Sequence, residues 1–295
     1  MTQVIFFLKI TGFGVVQYKT MQTSGEKDMP TKNTKKVKQE IVIVIDKSGS
    51  MSSSRDDVIG GFNTYIADLK KDEETDVKLT LVMFDTYIHK LHSGKALKDV
   101  SELCSKTYCP GGSTALNDAV MEAVEDVETR LKKSKSKDDP QVMVVVFTDG
   151  EENASSKFKK DAVSDKRKEK EQEGWAFIFM GADMDAWAAG SSYGMSAGNT
   201  ISLGKQAIGD SMAYLSNRTA KASKAYAARG AGAISHEVYA QTMSNLMEID
   251  ADDLANDAEA VNLRATIDNS SKISNPAYSN LADKIKDLQS NTETP

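Results

Sequence analysis

Three short stretches of this chain carry clustered oxygen donors. The first, Asp46-Lys47-Ser48-Gly49-Ser50, sets one carboxylate and two hydroxyls at alternate positions, and Gly49 permits a tight turn between them. The second, Cys109-Pro110-Gly111-Gly112-Ser113-Thr114, ends on a hydroxyl, and the third is Thr148-Asp149-Gly150. Asp46, Ser48, Ser50, Thr114 and Asp149 together offer hard oxygen donors, a candidate site for a hard cation.

The elements that would carry these groups can be read from the apolar pattern. Ile41-Val42-Ile43-Val44-Ile45 is a run of five β-branched residues, which reads as a strand buried on both faces and stopping at Asp46. Residues 142–147 and 175–180 are apolar runs of the same kind, the first ending at Thr148-Asp149 and the second at Gly181-Ala182-Asp183. Residues 77–84 and 87–91 read as strands joined by Asp85-Thr86, a link that only antiparallel neighbours permit, so this hairpin should form one edge of the sheet. Val58, Phe62, Tyr65, Ile66 and Leu69 recur at helical spacing, with Gly60-Gly61 suggesting close approach to the sheet. Leu116, Val120, Val124, Val127 and Leu131 mark a helix that starts just after Thr114. A charged helix over 157–173, a short one over 185–193, a strand over 200–203 and a long helix from Ile208 to about Arg229 complete an alternating order. That order predicts a three-layer α/β/α Rossmann-like sandwich, mostly parallel, with the oxygen-bearing loops beyond the carboxyl ends of the strands.

Asp-x-Ser-x-Ser, a loop Thr and a later strand-end Asp-Gly resemble the metal-ion-dependent adhesion site of von Willebrand factor type A domains. All five positions match in the family's order over residues 40 to about 205. The wording of Gly61-Phe62-Asn63-Thr64, Gly112-Ser113-Thr114-Ala115-Leu116, Thr148-Asp149-Gly150-Glu151-Glu152 and Gly174-Trp175 further resembles compact stand-alone type A proteins of bacteria and their phages. The resemblance implies that Ser48 and Ser50 ligate Mg²⁺ or Mn²⁺ directly, Thr114 directly or through water, and Asp46 and Asp149 mostly through bridging waters. It also implies a remaining position for an Asp or Glu side chain of a partner protein. Glu151, Glu152, Asn153, Asn117 and Asp118 beside these residues read first as helix caps and second as modulators of partner choice.

Composition bounds the setting. The 295 residues carry a formal net charge of -6 and no basic stripe with aromatics, which argues against nucleic acid as a partner. No apolar run approaches the length of a membrane helix, so no membrane contact is expected. The first residues are apolar but lack a basic n-region and a small-residue cleavage site, which favours the cytoplasm. Cys104 and Cys109 read as free thiols, and His89 and His92 as partly exposed side chains without partner ligands. The chain divides into a polar leader over 1–38, a type A domain over 39–230 and an acidic tail over 231–295. Translation starting at Met29 would remove most of that leader. The tail holds eleven acidic residues against four basic ones and is expected to be partly helical and largely mobile.

The expected function is a divalent-cation-dependent protein-interaction module rather than an enzyme. An accessory subunit of an AAA-type ATPase, or a structural component of an assembly, is the alternative, and the chain has no Walker A sequence of its own. Metal-dependent hydrolysis is less favoured: Ser48 stands where a dehalogenase-type loop would have a second Asp, and three histidines give few candidate bases.

Overall fold

The computed structural model describes residues 36–134, 139–249, 253, 255, 260, 261 and 263. The expected leader up to residue 35, the Met29 start and the tail beyond 263 lie outside them.

Ten residues of β1 (Val37–Asp46) run through the middle of the molecule, buried from Gln39 onward. Successive side chains of a strand point to opposite faces, and β1 uses both. Ile41, Ile43 and Ile45 join one apolar cluster and Val42 and Val44 the other. β1 pairs in parallel with β2 (Thr75–Phe84) on one side and with β4 (Gln141–Thr148) on the other, Ile43 standing opposite Leu81 and Val145. The sheet continues outward through β5 (Ala176–Ala182) and β6 (Thr200–Leu203), both parallel. On the far side β3 (Ile88–Ala96) pairs antiparallel with β2 as the edge hairpin expected from Asp85-Thr86. The strand order is β3-β2-β1-β4-β5-β6. β3 reaches five residues further than its apolar stretch suggested, because a half-exposed edge strand can continue through polar residues such as Ser93 and Lys95.

The helices cover both faces. α1 (Arg55–Leu69), α5 (Ile208–Gly230) and α6 (His236–Ser244) pack on the isoleucine side. α2 (Leu116–Lys133), α3 (Lys160–Gln172) and α4 (Ala186–Ser192) pack on the valine side. At Gly61, α1 lies close against α5. A Cβ there would stand 3.1 Å from Met212 Cγ, whereas one on Gly60 would meet nothing within 4 Å. The close approach inferred from Gly60-Gly61 is thus to a helix rather than to the sheet, and only Gly61 requires it.

The change in composition after Gly230 does not mark the edge of the core. Tyr239, Met243, Leu246, Met247 and Ile249 are buried in the isoleucine-side cluster, and Tyr239 Oη donates to Gly174 O at 2.9 Å. The expected partly helical character of the tail is met here by α6, whose apolar residues and those of the segment behind it are buried in the core rather than mobile.

Candidate metal centre

β1 and β4 are neighbours in the sheet, yet the chain leaves β1 toward β2 and returns to β4 only after β3 and α2. Their carboxyl ends therefore flank the point where strand order reverses, and a crevice opens there between diverging loops. Asp46 closes β1, and Asp149 follows the last residue of β4.

The Asp46 loop is held on several sides. Ser48 N donates to Asp46 Oδ1 at 2.6 Å, and Thr148 Oγ1 donates to Asp46 Oδ2 at 2.6 Å. Buried Tyr108 donates its hydroxyl to Asp46 O at 2.6 Å. Lys47 turns away and forms an ion pair with Asp85. The Gly-rich loop lies against this turn through its backbone: Gly111 N donates to Lys47 O at 2.8 Å, and Gly49 N donates to Gly112 O at 3.0 Å. Gly112 has φ +77°, and a Cβ on it would stand 2.8 Å from Thr86 Oγ1, so glycine is required for the fit.

Thr114 is fixed by the segment that follows Asp149. Asn153 N and Ala154 N donate to Thr114 O at 3.0 and 3.1 Å, and Thr114 N donates to Asn153 Oδ1 at 2.9 Å. Glu152 Oε2 accepts from Asn117 N at 2.8 Å in the first turn of α2. Capping was the expected role of Glu152 and Asn153, but the helix served is α2 behind them rather than α3 ahead. Asp118 likewise caps no turn of its own helix: it accepts from the backbone N–H groups of Ser156, Lys157 and Phe158. Asn117 Oδ1 accepts from Tyr193 Oη at 2.7 Å.

The hydroxyls then converge. Ser48 Oγ and Ser50 Oγ lie 3.0 Å apart, and Ser50 Oγ donates to Asp149 Oδ1 at 2.5 Å. A Cβ built on Gly150 would stand 3.4 Å from Thr114 Oγ1, 3.7 Å from Ser50 Oγ and 4.0 Å from Asp46 Oδ2. Oxygens of the first two stretches thus converge within 4 Å of one point beside Gly150 of the third, and no side chain at 150 fills it. Asp149 Oδ2 is buried and makes no hydrogen bond. Its counter-charge is Lys205 Nζ at 2.9 Å, an ion pair without hydrogen-bond alignment. Burial pushes the Asp46 carboxyl above its ordinary value despite the donors from Thr148 and Ser48, and the neighbouring Asp149 adds to the rise. Two carboxylates drawn together in this way favour a cation between them.

This donor set suits a hard divalent ion. Among the described residues no three His, Cys, Asp or Glu side chains gather as a metal cluster, so hydroxyls must complete any coordination sphere here. His92 is buried rather than partly exposed, and its Nε2 has no hydrogen-bond partner; His89 pairs with Asp85 at 3.5 Å. Cys104 and Cys109 are free and exposed. No described helix is long and apolar enough to cross a membrane.

Sequence reading did not reach Lys205 or Tyr108. Neither belongs to the motif residues, and only the fold sets Tyr108 beneath the Asp46 loop and Lys205 beside Asp149.

A six-stranded, mostly parallel sheet covered by helices on both faces, with hydroxyls and carboxylates gathered at its switch point, defines a Rossmann-like α/β domain. The sequence profile of the von Willebrand factor type A domain matches residues 40–196, more than half of the chain, and the protein belongs to that family. A search of the curated proteins found no match. Among solved structures, the chain is similar to proximal thread matrix protein 1 from the mussel byssus, at 16% identity and TM-score 0.45, covering 61% of this chain and 46% of that one. It is also similar to the vWF domain of the type V pili tip protein Mfa5 from Porphyromonas gingivalis, at 13% identity and TM-score 0.47, covering 62% of this chain and 95% of that one. A third is the manganese-loaded TRAP protein of Plasmodium vivax, at 21% identity and TM-score 0.36, covering 50% of this chain and 57% of that one. The chain therefore spans about half the length of the mussel protein.

Proposed function

We propose that this domain is a divalent-cation-dependent protein-binding module. Ser48, Ser50 and Thr114 would hold Mg²⁺ or Mn²⁺ through hydroxyl oxygen, with Asp46 and Asp149 supplying charge through bridging waters. Mg²⁺ keeps several waters and demands six oxygen ligands, so neutral hydroxyls in contact with carboxylates behind them leave an electrophilic ion with a replaceable water. A carboxylate is the natural replacement, and the partner is accordingly a protein presenting an Asp or Glu side chain. The observation that carries this reading is the open point beside Gly150, within 4 Å of Thr114, Ser50 and Asp46 oxygens. The two exposed thiols, Cys104 and Cys109, suit a reducing compartment such as the cytoplasm.

Calorimetric titration of the full chain with MgCl₂ and MnCl₂ tests the ion. Saturable binding that Asp46→Ala abolishes is expected, and no binding by the wild type would end the proposal. A pull-down in Mg²⁺ against EDTA tests the partner, whose retention should require the ion.

A further inference from the structure

Lys205 stands in a 3-10 turn just past β6, 155 residues beyond Ser50, and no part of the adhesion-site motif calls for it. Its ammonium nevertheless reaches the centre of the crevice. Lys205 Nζ lies 2.9 Å from Asp149 Oδ2, donates to Ser50 O at 3.1 Å and donates to Ser53 Oγ at 3.1 Å. The placement is built rather than incidental. Lys205 N donates to Asp183 Oδ1 at 3.1 Å, and Asp183 N donates to Leu203 O at 2.8 Å, with Asp183 in the left-handed region at φ +51°. The side chain is about three-quarters buried, and the Asp149 oxygen that it faces is buried without a hydrogen bond.

We infer that Lys205 is a tethered counter-ion of the metal centre, competing with the divalent ion for Asp149 and setting how tightly that ion is held. The inference rests on the metal reading above and deepens it. The charge balance makes the case. Asp46 and Asp149 bring two negative charges to the crevice, and Lys205 cancels one of them before any metal arrives. A divalent ion must then be taken up by a site of net charge -1, beside a positive group that repels it at short range. Once the ion is in place, the same ammonium leaves the centre more positive than two carboxylates alone would, which favours an anionic ligand at the open position. Lys205 thereby weakens the resting hold on the ion and strengthens the demand for an acidic partner, so the two bind best together. In the metal-free protein its ion pair offsets the repulsion between Asp46 and Asp149.

The test is calorimetry with MnCl₂ on the full chain as wild type, Lys205→Met and Lys205→Arg, with melting temperatures in EDTA. Removing the ammonium should tighten Mn²⁺ binding by ~10-fold or more while lowering the melting temperature in EDTA. Lys205→Arg keeps the charge and should stay closer to the wild-type dissociation constant than either neutral variant does. Lys205→Gln serves as a second neutral variant should the Met variant fold poorly. Binding by Lys205→Met without binding by the wild type would support the inference while ending the proposal that the natural site is charged with metal. Mn²⁺ binding by Lys205→Met and Lys205→Gln that is no tighter than that of the wild type would overturn the inference and leave the metal reading standing. Absence of binding in every variant would overturn both.

Discussion

The hydroxyl of Thr148 donates to Asp46 Oδ2 at 2.6 Å, joining the last residue of β4 to the last residue of β1. That bond fixes one oxygen of the central carboxylate while Ser48 N fixes the other. The carboxylate is therefore oriented before any ligand reaches it.

Thr148→Val keeps the shape and removes the donor. A hydrogen bond to a charged, buried acceptor is worth about 1.5–3 kcal/mol, so the variant should lose stability of that order in urea unfolding at neutral pH. An unchanged midpoint would mean that the bond contributes nothing.

Saturating Mg²⁺ should raise the melting temperature of the wild type, and EDTA should lower it. Ligand at about 100 times its dissociation constant stabilises a fold by ~2.7 kcal/mol. Asp46→Ala should show no such response, and a variant that still gained stability from Mg²⁺ would place the ion elsewhere.

Gly150→Ala separates the site from the fold. The new methyl would make ordinary contacts of 3.4 Å or longer, so the domain should fold with stability changed by no more than about 1 kcal/mol. It would stand among the Thr114, Ser50 and Asp46 oxygens, however, and Mn²⁺ binding followed by calorimetry should fall sharply.

The Asp118 carboxyl has a predictable pH signature. Burial alone would raise it, but the backbone donors of Ser156, Phe158 and Lys157 outweigh burial and hold it below its ordinary value. A carboxylate lowered on folding adds stability above its unfolded value and loses it as pH falls through the folded one. Asp118→Asn should therefore cost about 1–3 kcal/mol at pH 7, a difference from the wild type that shrinks below about pH 4 in denaturant titrations.

Two neighbouring glycines should respond oppositely. Gly60→Ala meets open space on an exposed helix position and should stabilise α1 by about 0.5–1 kcal/mol. Gly61→Val must push into Met212 and should cost about 1–3 kcal/mol, both read from urea midpoints.

Much of this arrangement is legible in the chain before folding. The apolar runs over 41–45 and 142–147 announce central strands, because only strands buried on both sides dispense with alternation. Asp46, Ser48, Ser50, Thr114 and Asp149 follow from motif spacing, and the fold brings hydroxyls and carboxylates of all three stretches to one crevice. What escapes such reading depends on three-dimensional neighbours. Glu152 gives no local sign that it will cap the helix behind it. Lys205 looks like any surface lysine until β6 is laid beside β5. The packing of Tyr239 and Met243 depends on α5 and β5 lying beside α6, which the short, mostly polar stretch around them does not announce.

The strand order has a kinetic corollary. Ser50 and Asp149 are 99 residues apart, and Lys205 is later still, so a nascent chain that has released only β1, β2 and β3 would hold only part of the proposed ligand set. On that proposal, ion capture would follow the docking of β4 against β1 rather than guide it. Metal added to a refolding reaction should leave the rate of early collapse untouched and act by slowing the return to the unfolded state.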